Sequence, residues 1–458
     1  MIRRILRWAA ILPLFVLLIG ASGAPASASL TKTPIQHLIV LMQENHTFDN
    51  YFGTYPGADG FTAETCVPVN PFEVSNTECV RPFRIGDLPI ENLDHSRQTF
   101  RLQYNEGRMN GFIQALNIRN QNGKLAVGYY DDQDIPFYWN LADEYVLFDR
   151  FFSSAAAGSF MNHVYWVTAS PGRGRDKATP EGLGDLPTIF DRLEEQGISW
   201  KFYIQKYDPE VTYRDLVVGS PRPPQVEWVP LLSIDRFIDD PRLNRRITDL
   251  DEYYEDLRAG ELPAVTFVKA IGSSEHPPGS LQAGQRTSRT MLQALMLSDA
   301  WEDSAFLITY DDWGGWYDHV APPQVDEYGY GFRVPALLVS PYAKQGYIDS
   351  TELDYTSILR FIEDNWGLEP LTSRDAKANS LDNAFDFTLP PRNPRIIPSQ
   401  RYLGDQGSEP NVTVIGISYG ASAALAGLIV GFAVVRARQK QGPGSGLENE
   451  SVGAQGEG

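Results

Sequence analysis

Two pairs of oxygen-bearing side chains follow apolar runs of the chain and could together bind a cation. Glu44 and Asn45 follow the run Leu38–Met42 after one residue. Asp311 and Asp312 follow a second apolar run. Each run has the length of a buried strand, and the carboxyl ends of parallel strands meet at one sheet edge, where ligands bind. Carboxylate and amide oxygens suit Mg²⁺, Ca²⁺ or Mn²⁺, so the pattern favours a divalent metal site over two solvated polar turns.

Histidines are concentrated near the same loops. The chain has six of them, and His37 lies within an apolar run, where a core or edge histidine is the expected role. The other five fall in or beside candidate site loops: His46, His95, His163, His276 and His319. Imidazole can donate to phosphoryl oxygens or protonate a leaving group, so this clustering predicts anion binding or general acid chemistry.

A turn of small residues offers a nucleophile. Ala155–Ser159 lies between an aromatic run and an apolar helical segment. Small side chains allow backbone N–H groups to approach an anion, and the N-terminus of the following helix favours negative charge. A free serine hydroxyl is a weak nucleophile, but a bound cation lowers its pKa. Ser159 is therefore a candidate nucleophile, and helix N-capping is a structural alternative that is compatible with this role.

The elements that must position these residues form an α/β pattern. Apolar runs of strand length alternate with amphipathic helical segments, which predicts a mostly parallel sheet. Besides the two runs above, we predict strands at Ser199–Ile204, Ala264–Val268 and Val334–Ser340. Residues 208–262 are polar and interrupted by prolines, and we predict that they form an insertion over the sheet rather than a part of it.

Both ends of the chain are predicted to lie outside a catalytic domain at residues 30–390. Residues 1–28 have the basic start, apolar core and small-residue cleavage site of a secretory signal peptide, with an uncleaved anchor as the alternative. After a linker at 391–411, the uncharged stretch 412–435 is long enough to cross a bilayer as a transmembrane helix. Basic residues follow it, so the tail 436–458, which has a disordered composition, is predicted to be cytoplasmic. The domain is therefore expected at the cell surface, on the extracytoplasmic side of the membrane.

Cysteine content and net charge narrow the class of protein further. Cys66 and Cys79 are the only two cysteines, and they lie close together in one polar loop. Disulfides persist outside the cytosol, so we predict that these two form one. The net charge of −19 disfavours nucleic acid as a partner, because phosphate contacts need stripes of lysine and arginine.

The candidate residues belong to five short motifs. In chain order these are Gln43–Gly53 (QENHTFDNYFG), Asp94-His95, Gly158-Ser159 with Asn162, Glu275–Pro278 (EHPP) and Asp311–Val320 (DDWGGWYDHV). In this order they resemble the bacterial phospholipase C/acid phosphatase phosphoesterase family, and the first and last motifs are highly specific together. The likeness extends over roughly the whole predicted domain. It implies an alkaline-phosphatase-like α/β/α sandwich with a mostly parallel central sheet.

The resemblance also implies a role for each candidate residue. The two pairs of oxygen ligands would hold one divalent metal ion, whose identity stays open. Ser159 would be the nucleophile, which takes up the phosphoryl group before water releases it. His95 and His276 would line the phosphoryl oxygens, and one of them would protonate the leaving group. Asn162 and His319 would line the site.

Two departures from the family pattern leave the substrate open. The family often has Thr-x-Pro-Asn-Arg at the nucleophile, where this chain has Ser159-Phe-Met-Asn-His163. It often has Asp-Glu-Asn-Gly-Gly, where this chain has Asp311-Asp-Trp-Gly-Gly315. The expected substrate is a phosphate ester, either a phospholipid diester or a phosphomonoester. A sulfatase-like enzyme is disfavoured because the serine lacks the proline and arginine of that motif, and the remaining alternative is a surface-binding ectodomain that keeps the fold without catalysis.

Overall fold

A sheet of eight strands crosses the protein. The computed structural model describes residues 31–73 and 75–401, and the elements below lie in these residues. The strands are β1 (His37–Gln43), β2 (Val67–Pro68), β3 (Cys79–Val80), β4 (Phe83–Arg84), β5 (Gly128–Tyr129), β6 (Val146–Phe148), β7 (Trp200–Ile204), β8 (Ile247–Asp249), β9 (Val265–Lys269), β10 (Ser304–Tyr310), β11 (Ala336–Val339) and β12 (Tyr347–Asp349). Four short strands form two small separate sheets, β2 with β3 and β4 with β5.

The α-helices of the same described residues connect and cover these strands. They are α1 (Phe48–Phe52), α2 (Arg97–Tyr104), α3 (Phe112–Asn117), α4 (Pro136–Glu144), α5 (Ser159–Thr168), α6 (Ile189–Glu195), α7 (Pro224–Trp228), α8 (Asp235–Asp239), α9 (Pro241–Asn244), α10 (Asp251–Ala259), α11 (Leu281–Met296) and α12 (Tyr355–Trp366). Local sequence sets several of their starts. The Ser280 hydroxyl, for example, accepts a hydrogen bond from the Ala283 N–H at 3.2 Å and caps α11.

The central sheet is mostly parallel. Its strand order is β12-β6-β11-β10-β1-β9-β7-β8. Neighbouring strands pair in parallel except where β11 meets β10 and β6, so β11 alone among these eight runs against the others. The prediction of an α/β fold with a mostly parallel sheet is confirmed.

Helices cover both faces of this sheet. Neighbouring residues of a strand point to opposite faces, and β7 shows what each face contacts. The ring of Phe202 lies 5.5 Å from that of Trp166 in α5. The next residue, Tyr203, instead contacts Tyr253 in α10, with 5.7 Å between the ring centroids. The layers are therefore helix, sheet and helix.

The register of three central strands brings the predicted metal ligands to one place. β1 lies between β10 and β9, and Gln43 in β1 is level with Tyr310 in β10. Both strands end at these residues, so the two ligand pairs that follow them leave the sheet side by side. On the other side of β1, Met42 is level with Lys269, the last residue of β9.

Two short edge strands differ from the sequence prediction. Ile247–Asp249 lies within the predicted insertion 208–262, yet it pairs in parallel with β7 as an outer strand of the sheet. Tyr347–Asp349 closes the opposite edge beside β6. Each has three residues, too few to show a strand period in the sequence. The prediction that 208–262 lies wholly outside the sheet is therefore wrong.

The predicted targeting segments lie outside the described residues. These are the signal peptide at 1–28, the transmembrane helix at 412–435 and the tail at 436–458. Among residues 31–73 and 75–401, no helix combines the length and the apolar character needed to cross a bilayer.

A disulfide and an ion pair connect two peripheral segments to the rest of the structure. Cys66 and Cys79 form the predicted disulfide, which joins the region of β2 to β3. Residues 391–401, the first part of the predicted linker, lie on the domain surface, where Arg392 Nη1 is 3.3 Å from Glu144 Oε1.

A fully buried arginine, Arg333, binds two buried carboxylates. Its Nη2 lies 2.9 Å from Asp49 Oδ1, and its Nε lies 2.9 Å from Asp318 Oδ1. Its Nη1 donates to the carbonyl oxygens of Asp59 at 2.8 Å and Asp149 at 2.9 Å. Burial raises the pKa of Asp318 to about 6, because apolar surroundings disfavour the charged form. Through these four contacts, the Arg333 guanidinium links segments that are distant in the sequence.

Replacing Arg333 by methionine is expected to lower the free energy of unfolding by about 3–5 kcal/mol, because two buried carboxylates lose their cation. Arg214→Met is the matched control. The Arg214 side chain is 43% exposed and pairs with Asp235 and Asp239 at the surface, so we expect a loss of about 0–1 kcal/mol. Denaturant titrations of both variants measure the two losses. Equal losses would contradict the role given to the buried network.

Candidate active site

The two predicted ligand pairs lie together in the interior. Glu44, Asn45, Asp311 and Asp312 are all 0% exposed. Asn45 has a φ of 61°, and its backbone N–H donates to Asp311 Oδ1 at 2.9 Å. The side-chain nitrogen of Asn45 faces His95 Nε2 at 3.5 Å, which leaves its Oδ1 without a hydrogen-bond partner.

Among the described residues, four side chains at this edge of the sheet carry buried atoms that could bind a metal ion and that have no hydrogen-bond partner. These atoms are both carboxylate oxygens of Glu44, Asn45 Oδ1, Asp311 Oδ2 and His163 Nε2; of these, Glu44 Oε1 contacts the Lys269 ammonium. Buried polar atoms in proteins are nearly always paired, so such a group of unpaired atoms indicates a ligand. Ligand atoms of Glu44, His163 and Asp311 lie within 4.8 Å of one another, a spacing that one metal ion can bridge.

His163 adds a nitrogen donor to the predicted oxygen ligands. Its Nδ1–H donates to the Ser159 carbonyl at 2.8 Å, so Nε2 carries the lone pair of the neutral ring. That Nε2 lies 3.4 Å from Glu44 Oε1. Burial, followed by the charge of Lys269, lowers the pKa of His163 to about 3. A neutral imidazole is the form that binds metal ions.

The buried charges also fit a divalent cation. Glu44, Asp311 and Asp312 bring three carboxylates into the interior, and the Lys269 ammonium, which contacts Glu44 Oε1, brings one positive charge. Three negative charges and one positive charge leave two negative charges uncompensated. Burial, followed by repulsion from the neighbouring carboxylates, raises the pKa of Asp311 and of Asp312. A divalent ion at the unpaired atoms would supply the missing charge.

Ser159 lies beside this cluster of ligands. It is the first residue of α5, and its Oγ donates to Asp312 Oδ2 at 3.0 Å instead of capping the helix. The other carboxylate oxygen of Asp312 accepts from the Gly314 N–H at 2.7 Å. Gly314 has a φ of +58°, and a Cβ there would lie 2.4 Å from the Asn45 carbonyl oxygen, so glycine is required. The Ser159 hydroxyl is thus bound by the Asp312 carboxylate, whose position is fixed by the Gly314 N–H.

Asn162, a predicted site residue, holds the turn that carries Ser159. Its Oδ1 accepts from the Ala155 N–H at 2.9 Å, and its Nδ2 donates to the Ala157 carbonyl at 2.7 Å. The side chain is fully buried and does not line the cavity above the serine. In this structure Asn162 therefore positions the serine through the backbone.

A cavity of about 690 Å³ opens above Ser159. His95 and His276 line it, and their ring centroids are 6.3 Å apart. The Nδ1–H of His95 donates to the Leu93 carbonyl at 2.8 Å. The same atom of His276 donates to the Pro277 carbonyl, also at 2.8 Å. The His276 ring therefore turns Nε2 away from this bond, and His95 Nε2 lies 3.5 Å from the Asn45 amide nitrogen; from these positions the two Nε2 atoms can serve phosphoryl binding or proton transfer.

A buried carboxylate next to His276 shapes the cavity wall. Glu275 accepts hydrogen bonds from three tyrosine hydroxyls, those of Tyr51 at 2.6 Å, Tyr310 at 2.6 Å and Tyr138 at 2.5 Å. Burial raises the pKa of Glu275 to about 7, and the three hydroxyls oppose that rise. Because Tyr310 ends β10, this cluster ties the His276 loop to the strand from which metal ligands emerge.

His319 lies in a different network from the other predicted site residues. Its Nδ1 is 2.7 Å from Asp49 Oδ2, and its Nε2 is 3.3 Å from Asp59 Oδ1. Asp49, Asp318 and His319 are also close enough to share a metal ion, but Arg333 already pairs with both carboxylates. The structure therefore does not bring His319 into the cavity with Ser159.

Three residues of the cavity wall could not be predicted from the sequence, whereas Lys269, which contacts the metal ligands, could. Arg222, Glu227 and Trp228 line the cavity from within 208–262, and their place depends on how that long segment folds back. Lys269 could have been found from the sequence. A lysine at the end of the apolar strand β9 must meet the same sheet edge as the metal ligands.

Known proteins share the sequence of this chain over most of its length. Residues 35–369 match the phosphoesterase family. The chain belongs to the phosphoesterase family. Phospholipase C A of Mycobacterium tuberculosis is 29% identical over 460 residues, which cover 87% of this chain and 85% of that protein. Non-specific phospholipase C1 of Arabidopsis thaliana is 26% identical and covers 78% of this chain and 72% of that protein.

These relatives identify the class of reaction. A phosphoesterase with phospholipase C relatives is a hydrolase that acts on phosphate esters, and the non-catalytic alternative is not favoured. Among solved structures, a protein of the alkaline phosphatase superfamily from Vibrio parahaemolyticus is 13% identical, with a TM-score of 0.37 over 77% of this chain and 72% of that chain.

Gly284→Ala tests the packing behind His276. Gly284 lies in α11, and a Cβ there would be 2.1 Å from Glu275 Oε1. The variant should lose about 1–3 kcal/mol of unfolding free energy to overpacking, although alanine favours a helix more than glycine does. Thr290→Ala, at an exposed position of the same helix, should change it by no more than about 0.5 kcal/mol. Denaturant unfolding measures the change in unfolding free energy of both variants. A Gly284→Ala protein more stable than the natural one would contradict the close contact between Gly284 and Glu275.

His319 makes a prediction about pH. Burial acts to lower its pKa, but the hydrogen bond and ion pair with Asp49 outweigh burial and raise it to about 9. The folded protein therefore favours protonated His319. This stabilisation is complete below about pH 6.5 and is lost as pH rises through about 9. The advantage of the natural protein over His319→Gln in unfolding free energy should shrink across that range, and an advantage independent of pH would contradict the assignment.

Proposed function

We propose that the protein is a metal-dependent phospholipase C that cleaves the phosphodiester of a phospholipid through a covalent phosphoserine. The observation that carries this proposal is the position of Ser159. Its hydroxyl donates to Asp312 at 3.0 Å, beside the unpaired metal-binding atoms and in the cavity lined by His95 and His276. A nucleophile beside a cation site, in a cavity lined by two imidazole rings, brings together the groups that phosphoryl transfer needs.

One divalent ion would be held at the edge of the sheet. Its oxygen ligands would be Glu44, Asn45, Asp311 and Asp312, and His163 Nε2 offers a nitrogen. When bound, such an ion lowers the pKa of a neighbouring hydroxyl and neutralises charge on phosphoryl oxygens.

The protein's own residues supply the remaining steps. As a bond forms from Ser159 Oγ to phosphorus, the bond from phosphorus to the leaving alcohol breaks. Asp312 Oδ2, which accepts the hydrogen bond of the hydroxyl, takes its proton. The alcohol takes a proton from the Nε2–H of His95 or His276. Water then attacks the phosphorus and gives a proton to the same histidine. As the bond from phosphorus to Ser159 Oγ breaks, Asp312 returns its proton to that oxygen, so the phosphate product leaves and the serine and both side chains are restored.

The substrate class rests on the relatives and on the size of the cavity. The relatives carry the names phospholipase C A and non-specific phospholipase C1. The volume of about 690 Å³ lies within the range of roughly 300–1,000 Å³ that is usual for small-molecule sites, so it can take a lipid head group. A phosphomonoester, the substrate of the acid phosphatases that the motifs also resemble, is the alternative.

We also propose that the domain lies outside the cytosol, tethered to the membrane. The disulfide between Cys66 and Cys79 supports this location, because disulfides persist in oxidising compartments. The signal-peptide pattern at 1–28 and the apolar stretch 412–435 support it as well. Protease added to intact cells should digest the domain, and full protection would contradict the location.

Ser159→Ala is expected to reduce turnover by about 10⁴-fold or more, because the nucleophile is lost. Ser153→Ala is the matched control, since the Ser153 hydroxyl only donates to the Phe332 carbonyl at 3.4 Å and should be dispensable for turnover. Both variants are compared with the natural protein on p-nitrophenyl phosphorylcholine and on p-nitrophenyl phosphate. A chelator should abolish turnover by the natural protein, and added divalent ions should restore it.

The outcomes separate the alternatives. Cleavage of the choline diester supports the phospholipase C assignment, whereas cleavage of the monoester alone makes the protein a phosphatase. Full activity of a folded Ser159→Ala protein would refute the phosphoserine route. Turnover that survives the chelator would refute the metal requirement.

A further inference from the structure

Two exposed valines lie on a turn close in sequence to the cavity. Val217 is 67% exposed and Val218 is 85% exposed, although the residue before them is buried. The Ser220 N–H donates to the Val217 carbonyl at 3.1 Å, and Gly219 has a φ of +90°, so the valines occupy a tight turn. Arg222, two residues beyond this turn, lines the catalytic cavity. Two adjacent apolar side chains that are this exposed, beside a candidate site, are a feature of surfaces that contact a partner.

A second apolar residue lies on another side of the same cavity. Ile118 is 53% exposed and lines a shallow depression of about 460 Å³ together with Leu102 and Arg101. This depression shares Arg119 with the catalytic cavity, so the two are neighbours. Exposed apolar groups therefore lie on two separate segments, and each segment supplies an arginine of the cavity lining: Arg222 follows the two valines and Arg119 follows Ile118.

Basic side chains surround the same mouth. The four that line the cavity are Arg97, Arg119, Lys177 and Arg222, against three acidic residues, Asp94, Asp176 and Glu227. The lining therefore carries four positive and three negative formal charges, in a protein whose net charge is −19. Arg97 pairs with Asp176 at 2.9 Å, and Arg222 lies 3.8 Å from Glu227. Arg119 and Lys177, against Asp94, therefore give the lining its net positive charge, which favours a negatively charged partner.

The combination selects one kind of partner. A soluble head group would use the cations but would leave the valines in water. A lipid surface uses both, because apolar side chains enter the acyl region while basic side chains contact the phosphates. The cavity mouth would then face the bilayer, which is the orientation that brings a lipid phosphodiester to Ser159.

We propose that the face around the cavity mouth docks onto a phospholipid bilayer, with Val217, Val218 and Ile118 inserted and Arg119, Lys177 and Arg222 on the lipid phosphates. The inference rests on the proposed phospholipase C function and adds how the enzyme reaches its substrate. We call this surface the docking face.

A label at the turn tests insertion directly. The chain's only two cysteines form the disulfide, so Val218→Cys carries a single free thiol for a nitrobenzoxadiazole dye. Leu297→Cys is the matched control: Leu297 is 77% exposed, but it lies between α11 and the start of β10, at the edge of the sheet away from the metal ligands. Both proteins are full-length, and vesicles contain phosphatidylcholine with one fifth phosphatidylglycerol.

With these vesicles, the dye at residue 218 should shift to the blue and should be quenched by a lipid-borne quencher, whereas the dye at residue 297 should not change. Because the two proteins share every other segment, membrane attachment elsewhere in the chain does not alter the comparison. No change at residue 218, or an equal change at both sites, would overturn the proposal.

Kinetics give a second readout. The double variant Val217→Ser/Val218→Ser should hydrolyse vesicle lipid about tenfold more slowly, because less apolar surface is buried in the bilayer. It should keep its turnover of soluble p-nitrophenyl phosphorylcholine. An equal loss on both substrates would overturn the proposal, because the turn would then shape the cavity instead. If no form of the protein turns over either substrate, the phospholipase C function fails, and the dye experiment still decides whether the docking face inserts.

Discussion

Burial of three carboxylates at the ends of two adjacent parallel strands is the constraint on which this site depends. Glu44, Asp311 and Asp312 are fully buried, with Lys269 as the cation that contacts them. Isolated buried charges cost several kcal/mol each, so such a cluster is stable only with a cation in place. The unpaired atoms around it, including His163 Nε2, are those that a metal ion would use. Without a bound ion, this cluster of buried carboxylates would destabilise the fold. Its presence is explained by the binding of an ion.

The reacting groups are positioned outward from this cluster. Asp312 accepts the hydrogen bond of Ser159, which begins α5, so the nucleophile is fixed by the same strand end that supplies ligands. Glu275 and its three tyrosines fix the loop of His276 against the neighbouring strand. His95 faces the Asn45 amide. Each of these groups contacts a residue at or just after the end of a sheet strand. Because the strands are rigid, these contacts keep residues on loops in the geometry that catalysis needs.

The sequence predicted the parts of this structure that local patterns encode. Apolar runs located the central strands, and the register of parallel strands then implied that the ligand pairs would meet. Partners supplied by distant segments could not be read in the same way. His319 looked like a site residue from its motif, but Asp49 and Arg333 hold it elsewhere. The three-residue strand Ile247–Asp249 was missed because it is too short to show a period and is defined by its pairing with β7. Trp228 lines the cavity only because segment 208–262 folds back over it.

The measurement that most directly tests the phosphoserine at Ser159 is the stereochemical course at phosphorus. A substrate made chiral by oxygen isotopes at the phosphodiester is hydrolysed in isotopically labelled water, and the configuration of the released phosphate ester is determined. Two successive in-line displacements, the first by serine and the second by water, each invert the centre, so a covalent phosphoserine predicts net retention. Net inversion would mean that water attacks the substrate directly, and it would contradict Ser159 as the nucleophile.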